Sequence, residues 1–239
     1  MIDGAKALGV LGGMGPMATQ LFFRMVVDMT DASCDQEHLN MIIFNHATMP
    51  DRTKAILSGE TEEVYKRLLS GARFLADAGA DVIAIPCNTS HYFIDRLKDD
   101  VKSIEFIDMI RETARFAAMQ GKKEKPARVG ILATEGTLGS GLYQKRLAEA
   151  GAEPVILSDE GRRLTMKIIY DCVKSGIPAE REDVLAIEKE LSEKGCSCAV
   201  MGCTELSCLK EDMKLSDFYI DAMKVLAEKS VMACDKRLR

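Results

Sequence analysis

KALGVLGGMGPMAT occupies residues 6–19, and its reading decides the fold. Ala7, Leu8, Val10 and Leu11 form an apolar run broken by glycines; a glycine-rich break closes on Pro16, and Met17, Leu21, Phe22, Met25, Val26 and Met29 then recur at helical spacing. That succession predicts a strand, a tight loop and an amphipathic helix. A second unit of the same kind opens at GILATEGTLGS, residues 130–140. Each opening is followed, after a similar interval, by a strand that ends in a cysteine: IPCNTSHY (85–92) sets Cys87 there, and MGCTELS (201–207) sets Cys203. Each cysteine precedes Asn or Thr and a polar helix start. We read the pattern as a degenerate internal duplication.

Working outward, further strands are expected at 41–45, 81–87, 104–107, 128–133, 153–157 and 198–202. Helices are expected at 62–78, 108–120, 138–150, 160–174, 182–194 and 221–238, with a polar loop at 50–59. Strands alternating with helices predict an α/β fold of two similar Rossmann-like domains with parallel sheets. The charged, proline-bearing stretch GKKEKPA (121–127) reads as the linker. The boundaries expected from it are 1–120 plus 221–239 for the first domain, with a returning C-terminal helix, and 121–220 for the second.

The chain has 239 residues, 47% hydrophobic and 29% charged, which suits a folded globular protein rather than a low-complexity one. Its net charge of −5, without a long basic block, argues against nucleic acid or an anionic membrane as partner. No apolar run reaches the roughly 18 residues of a membrane span, and MIDGAKALGVLGG lacks signal-peptide features, so a cytoplasmic location is expected. Eight cysteines diluted in a chain of this length are then reduced thiols whose individual chemistry matters.

In open parallel sheets, ligands bind beyond the carboxyl ends of the strands, where helix N-termini offer unpaired N–H groups. Cys87 and Cys203 both fall there. A free thiol titrates near about 8.5, and a helix N-terminus lowers that value, so each suits proton transfer near neutral pH. Taken singly, either cysteine reads more readily as strand-end core. Two opposed thiols would suit removal of a proton from one face of a carbon and its return to the other. Gly13 to Ala18 fit G-x-G-x-x-A formally, but the second strand ends at Asn45 and His46 without the acidic residue of a nicotinamide site. A loop whose amides hold a carboxylate fits better. Cys196, Cys198, Cys203 and Cys208 lack the paired spacing of zinc knuckles. His91, one helical turn after Cys87, reads as a packed or capping side chain more readily than as the base of a Cys/His pair. Arg52 reads as an anion clamp or a solvated loop residue, and Lys174 as an anion partner or a helix-end charge.

LGGMGPMAT, DQEH (35–38), PDRT (50–53), AGAD (78–81), IPCNTSHYF, GILATEGT, IY-x-x-VK-x-G (169–176) and GCTELS occur in the order found in the aspartate/glutamate racemase family, aspartate branch, which the chain resembles over essentially its whole length. The resemblance implies two similar domains related by pseudo-twofold symmetry with the active site in the cleft between them, no pyridoxal phosphate, no metal, and a homodimer. It implies Cys87 and Cys203 as acid/base thiols, and Arg52 and Lys174 as carboxylate-binding residues. Asn88, Thr89 and Thr204 match substrate contacts, and Met14 and Gly15 match the loop beside the substrate. FNHATMPDRT (44–53) departs from the Asn and Pro-Gln usual in the aspartate branch at His46, Ala47 and Thr48, which bears on aspartate against glutamate. The implied reaction is interconversion of L- and D-aspartate, or of glutamate, on a small acidic amino acid. Two other readings keep the fold: a related isomerase or decarboxylase of the superfamily, and a noncatalytic amino-acid-binding module.

Overall fold

A computed structural model describes residues 4–120 and 126–239 of the chain. It divides into two compact units, 4–109 with 223–239, and 110–222. Most of the sequence-derived linker, 121–125, lies outside the described residues.

The first unit is built on four parallel strands, β1 (Ala7–Gly12), β2 (Asn40–Asn45), β3 (Val82–Ala84) and β4 (Glu105–Phe106), in the order β2-β1-β3-β4. Every residue of β1 and β3 is buried, as expected of strands covered on both faces. Helix α1 (Pro16–Met29) follows β1, with Ala18, Leu21, Phe22 and Val26 on its buried side. Helix α3 (Glu62–Asp77) packs Val64, Leu68, Ala72 and Leu75 into the same core as Leu11, Ile83 and Ile85.

Residues 50–59, expected as a loop, contain helix α2 (Arg52–Ser58). Its polar composition hid the helix, but Asp51 caps it by accepting the Lys54 amide hydrogen at 2.9 Å, and Thr53 and Ala55 are buried beneath it. After β3, a 3-10 turn (Thr89–Phe93) runs into α4 (Ile94–Asp100).

The second unit repeats the plan with β5 (Arg128–Ala133), β6 (Glu153–Val155), β7 (Cys198–Gly202) and β8 (Tyr219–Asp221), parallel and ordered β6-β5-β7-β8. Helix α5 (Met109–Ala118) leads into it. The helix expected over 138–150 is two helices, α6 (Glu135–Gly139) and α7 (Leu142–Glu149), because Gly141 at φ +69° takes a left-handed conformation that no right-handed helix contains. The helix expected over 160–174 is α8 (Asp159–Met166), continued by a π-helical segment (Lys167–Cys172) and a 3-10 turn (Val173–Ser175). Helices α9 (Arg181–Glu193) and α10 (Thr204–Met213) complete the unit. The last helix, α11 (Ala222–Ala233), groups with the first unit, where Lys6 Nζ donates to the carbonyl of Ala233 at 3.1 Å.

The two sheets share one strand order, 2-1-3-4 within each unit. Chain direction across the sheet therefore reverses between the first and third strands of each unit, β1 and β3 in one, β5 and β7 in the other. In an open parallel sheet that reversal leaves a crevice at the carboxyl ends.

Candidate functional site

In the first unit the loop after β1 and the loop after β3 flank that crevice. Gly13 turns the first of them at φ +86°, and a side chain there would lie 2.5 Å from the His46 backbone, so only glycine fits. Thr19 Oγ1 of α1 accepts the Gly13 amide hydrogen at 2.8 Å and donates to the carbonyl of Gly15 at 2.9 Å, fixing both ends of the turn. Met14, buried at its centre, has its sulfur 3.4 Å from Ser90 Oγ.

Arg52 is the first residue of α2 and half-buried, not a residue of a solvated loop. Its Nη2 donates to the Met14 carbonyl at 3.1 Å and its Nη1 to the Pro50 carbonyl at 3.0 Å. The guanidinium thus ties the β2–α2 connection to the turn after β1.

On the other side of the crevice, Cys87 is buried, with Asn88 and Thr89 also buried at the start of the 3-10 turn. His91 is wholly enclosed, and its Nδ1 lies 2.9 Å from the Cys87 carbonyl. The Met109 amide donates to Nε2 at 3.1 Å, so Nε2 is the acceptor and Nδ1 carries the hydrogen given to Cys87. Burial pushes His91 below the usual imidazole range and keeps it neutral. It acts on the cysteine's backbone, which agrees with the packed reading over the Cys/His pair.

In the second unit Thr134, the residue after β5, caps α6, and Cys203, the residue after β7, is the N-cap residue of α10. Thr204, buried, is the first residue of that helix. The sequence leads one to expect a thiol acidified by the helix N-terminus. The surroundings act the other way. Burial and the adjacent Glu205 push the Cys203 thiol well above its ordinary range. Its Sγ donates to Glu205 Oε2 at 2.9 Å, and Lys174 Nζ lies 3.4 Å from Glu205 Oε1. Lys174 follows the π-helical segment and also sits 4.8 Å above the Tyr170 ring. Cys203 and Lys174, both picked out in the sequence, are therefore joined through a side chain that was not. Glu205 is only 5% exposed, and an acidic residue in a helix's first turn ordinarily reads as a dipole partner. Its burial and its bond to sulfur were the missing signal.

The pattern of the Asp/Glu/Hydantoin racemase family matches residues 11–229. A broad specificity amino-acid racemase, RacX of Bacillus subtilis, is 28% identical over 231 residues, covering 94% of this chain and 96% of that protein. The aspartate racemase of Picrophilus torridus superposes with a TM-score of 0.79 at 28% identity, covering 98% of this chain and 96% of its own. Glutamate racemase of Francisella tularensis, solved with D-glutamate, shares the fold with a TM-score of 0.69 at 20% identity, over 96% of this chain and 81% of its own.

Proposed function

The chain belongs to the Asp/Glu/Hydantoin racemase family, and from that premise we propose that it interconverts L- and D-aspartate, with glutamate as the neighbouring substrate, by a two-base mechanism in which Cys87 and Cys203 are the acid and the base. One observation carries the reading: each unit delivers one buried cysteine to the carboxyl end of its sheet, beside the strand across which chain order reverses.

The chemistry is demanding. An amino-acid α-hydrogen is very weakly acidic, and a reaction run by side chains alone must stabilise the carbanion-like state with charge and oriented donors. The N-terminal amides of α10, next to Cys203, and the guanidinium of Arg52 are such groups. In this reading Arg52 and Lys174 hold the substrate's carboxylates, while Met14, Gly15, Asn88, Thr89 and Thr204 shape its surroundings. One thiolate removes the α-hydrogen and the other thiol supplies a hydrogen to the opposite face, so inversion needs no redox partner and the equilibrium constant is one.

Chiral chromatography of purified protein with each enantiomer of aspartate, glutamate, alanine and lysine tests the assignment. The neutral and basic substrates are included because the Bacillus subtilis relative is described as broad in specificity and because Lys174 already shares its charge with Glu205. Racemisation of aspartate above the others is the expected result. Equal turnover of alanine would replace the acidic substrate with a general one, and absence of turnover on every amino acid would leave a binding module.

A further inference from the structure

A two-thiol racemase shuttles between two free forms, one with Cys87 as thiolate and Cys203 as thiol, the other reversed. The forms are equally populated only if the two sulfurs have equivalent surroundings, and here they differ. Cys87 is followed by a neutral imidazole that binds its carbonyl. Cys203 has a buried carboxylate on its sulfur. We propose that Glu205 is a positioning residue for the reaction: holding the Cys203 S–H on one carboxylate oxygen and the Lys174 ammonium on the other, it makes Cys203 the proton-donating thiol of the resting pair. The inference rests on Cys203 being one of the two acid/base thiols.

The groups around Cys203 support this division of labour. Glu205 is held on both oxygens, at 2.9 Å from Sγ and 3.4 Å from Lys174 Nζ, so it is oriented as an acceptor toward sulfur. Three other charged groups of the surrounding elements have partners of their own. Asp221, at the end of β8, accepts from Ser207 Oγ at 2.6 Å, Lys210 donates to the Tyr219 carbonyl, and Glu135 after β5 pairs with Arg162 at 3.1 Å. Tyr170 lies under the Lys174 ammonium, and Tyr219 and Cys208 are titratable groups that burial keeps neutral, both pushed up, Tyr219 to about 12 and Cys208 to about 11.

When Cys203 gives its hydrogen to the substrate, the new thiolate lies beside the Glu205 carboxylate. That repulsion, tempered by Lys174, favours return of a proton to Cys203 and resets the pair with Cys87 as the base. Because the equilibrium constant is one, kcat/KM must be equal in the two directions at every pH. The asymmetry therefore shows in kcat and KM separately, and in the alkaline limb of kcat/KM, where the second thiol of the free enzyme loses its proton.

The test uses full-length protein, with Glu205→Gln as the near-isosteric change, Glu205→Asp to retain a shorter carboxylate, and Lys174→Met to remove the opposing charge. Two quantities are read: the pH profile of kcat/KM for aspartate, and the pH dependence of iodoacetamide alkylation at Cys203 and Cys87, followed by peptide mass spectrometry. Glu205→Gln should move the alkaline limb and the Cys203 alkylation midpoint to lower pH by one unit or more. Lys174→Met should move the Cys203 midpoint to higher pH, and Cys87 should not follow either change. Shifts of opposite sign are not what loosened packing produces. Unchanged Cys203 midpoints in folded Glu205→Gln and Glu205→Asp proteins would overturn the proposal while leaving the racemase reading intact. Failure of all racemisation would remove the racemase reading, and alkylation would still decide whether Glu205 governs the Cys203 proton.

Discussion

His91 binds the Cys87 carbonyl through Nδ1 at 2.9 Å and receives the Met109 amide hydrogen on Nε2 at 3.1 Å. Met109 is the last residue of the first unit before the chain enters the second, so one neutral side chain clamps the cysteine segment to the point where the chain leaves the unit. Ser207 occupies the matching place in the second unit, four residues after Cys203. It donates to Asp221, the residue before the last of the second unit. The duplication thus extends to how each cysteine segment is anchored, with different side chains making the anchor.

The clamp has a pH signature. His91 is neutral and buried, its folded-state pKa lying below the unfolded value of about 6.5. Below that pH the unfolded chain takes up a proton that the folded protein refuses. Stability supplied by the neutral clamp is therefore fully present above about pH 6.5 and is lost as pH falls toward the depressed folded value, at up to about 1.4 kcal/mol per pH unit. In urea titrations at pH 7 and pH 5, wild type should lose more stability on acidification than His91→Gln, although wild type is the more stable at pH 7. His46, also depressed by burial, is common to both proteins and cancels in the comparison. Parallel losses in the two proteins would mean that His91 titrates alike folded and unfolded.

The sequence left Arg52 open between an anion clamp and a solvated loop residue, and its surroundings were not visible there. A loop arginine replaced by alanine should cost little folding energy, but this one opens a helix and donates to the carbonyls of Met14 and Pro50. Arg52→Ala should lower stability by about 1–2 kcal/mol, through lost charged hydrogen bonds and acceptors left without a donor. Aspartate racemisation should fall by more than tenfold. Arg52→Lys, which keeps the charge but not the planar fork, should recover stability only in part. Thermal melts and chiral assays on the three proteins check this, and an Arg52→Ala protein that melts like wild type would restore the solvated-loop picture.

What the sequence made visible divides along physical lines. Strands β1, β5 and β7, almost wholly buried, are short runs of mainly apolar residues and glycine and were placed almost to the residue. Strand β8, only Tyr219–Asp221, is too short to show a period. Helix α2 is held by a cap and two small buried residues, and it looked like a loop because its outer face is polar. The break at Gly141 and the π-helical turn at Lys167–Cys172 are backbone events within otherwise helical patterns. At the candidate site, Cys87 and Cys203 stood out because the duplication repeats them. Glu205 did not, because what gives it meaning is Lys174, remote in sequence and adjacent only through the packing of the turn after the π segment against α10.

The last prediction separates paired bases from a single base or a covalent intermediate. With two bases, each enantiomer presents its α-hydrogen to only one thiol, and the other thiol must supply the hydrogen that completes inversion. Replacing either cysteine by serine should stop racemisation in both directions. It should not stop removal and return of a hydrogen on the face that still has its thiol. In deuterated water, Cys203→Ser protein should exchange the α-hydrogen of one enantiomer of aspartate and Cys87→Ser protein that of the other, with optical rotation constant in both. The L-enantiomer is expected to exchange with the Cys87→Ser protein and the D-enantiomer with the Cys203→Ser protein. Exchange with the Cys87→Ser protein should also have the more alkaline pH optimum, because Cys203 must then act as thiolate beside Glu205. Proton magnetic resonance of the α-position, read with polarimetry, gives both quantities from one sample. Normal racemisation by either mutant, or exchange of both enantiomers by one of them, would show that a single group reaches both faces and that the paired-thiol mechanism is wrong.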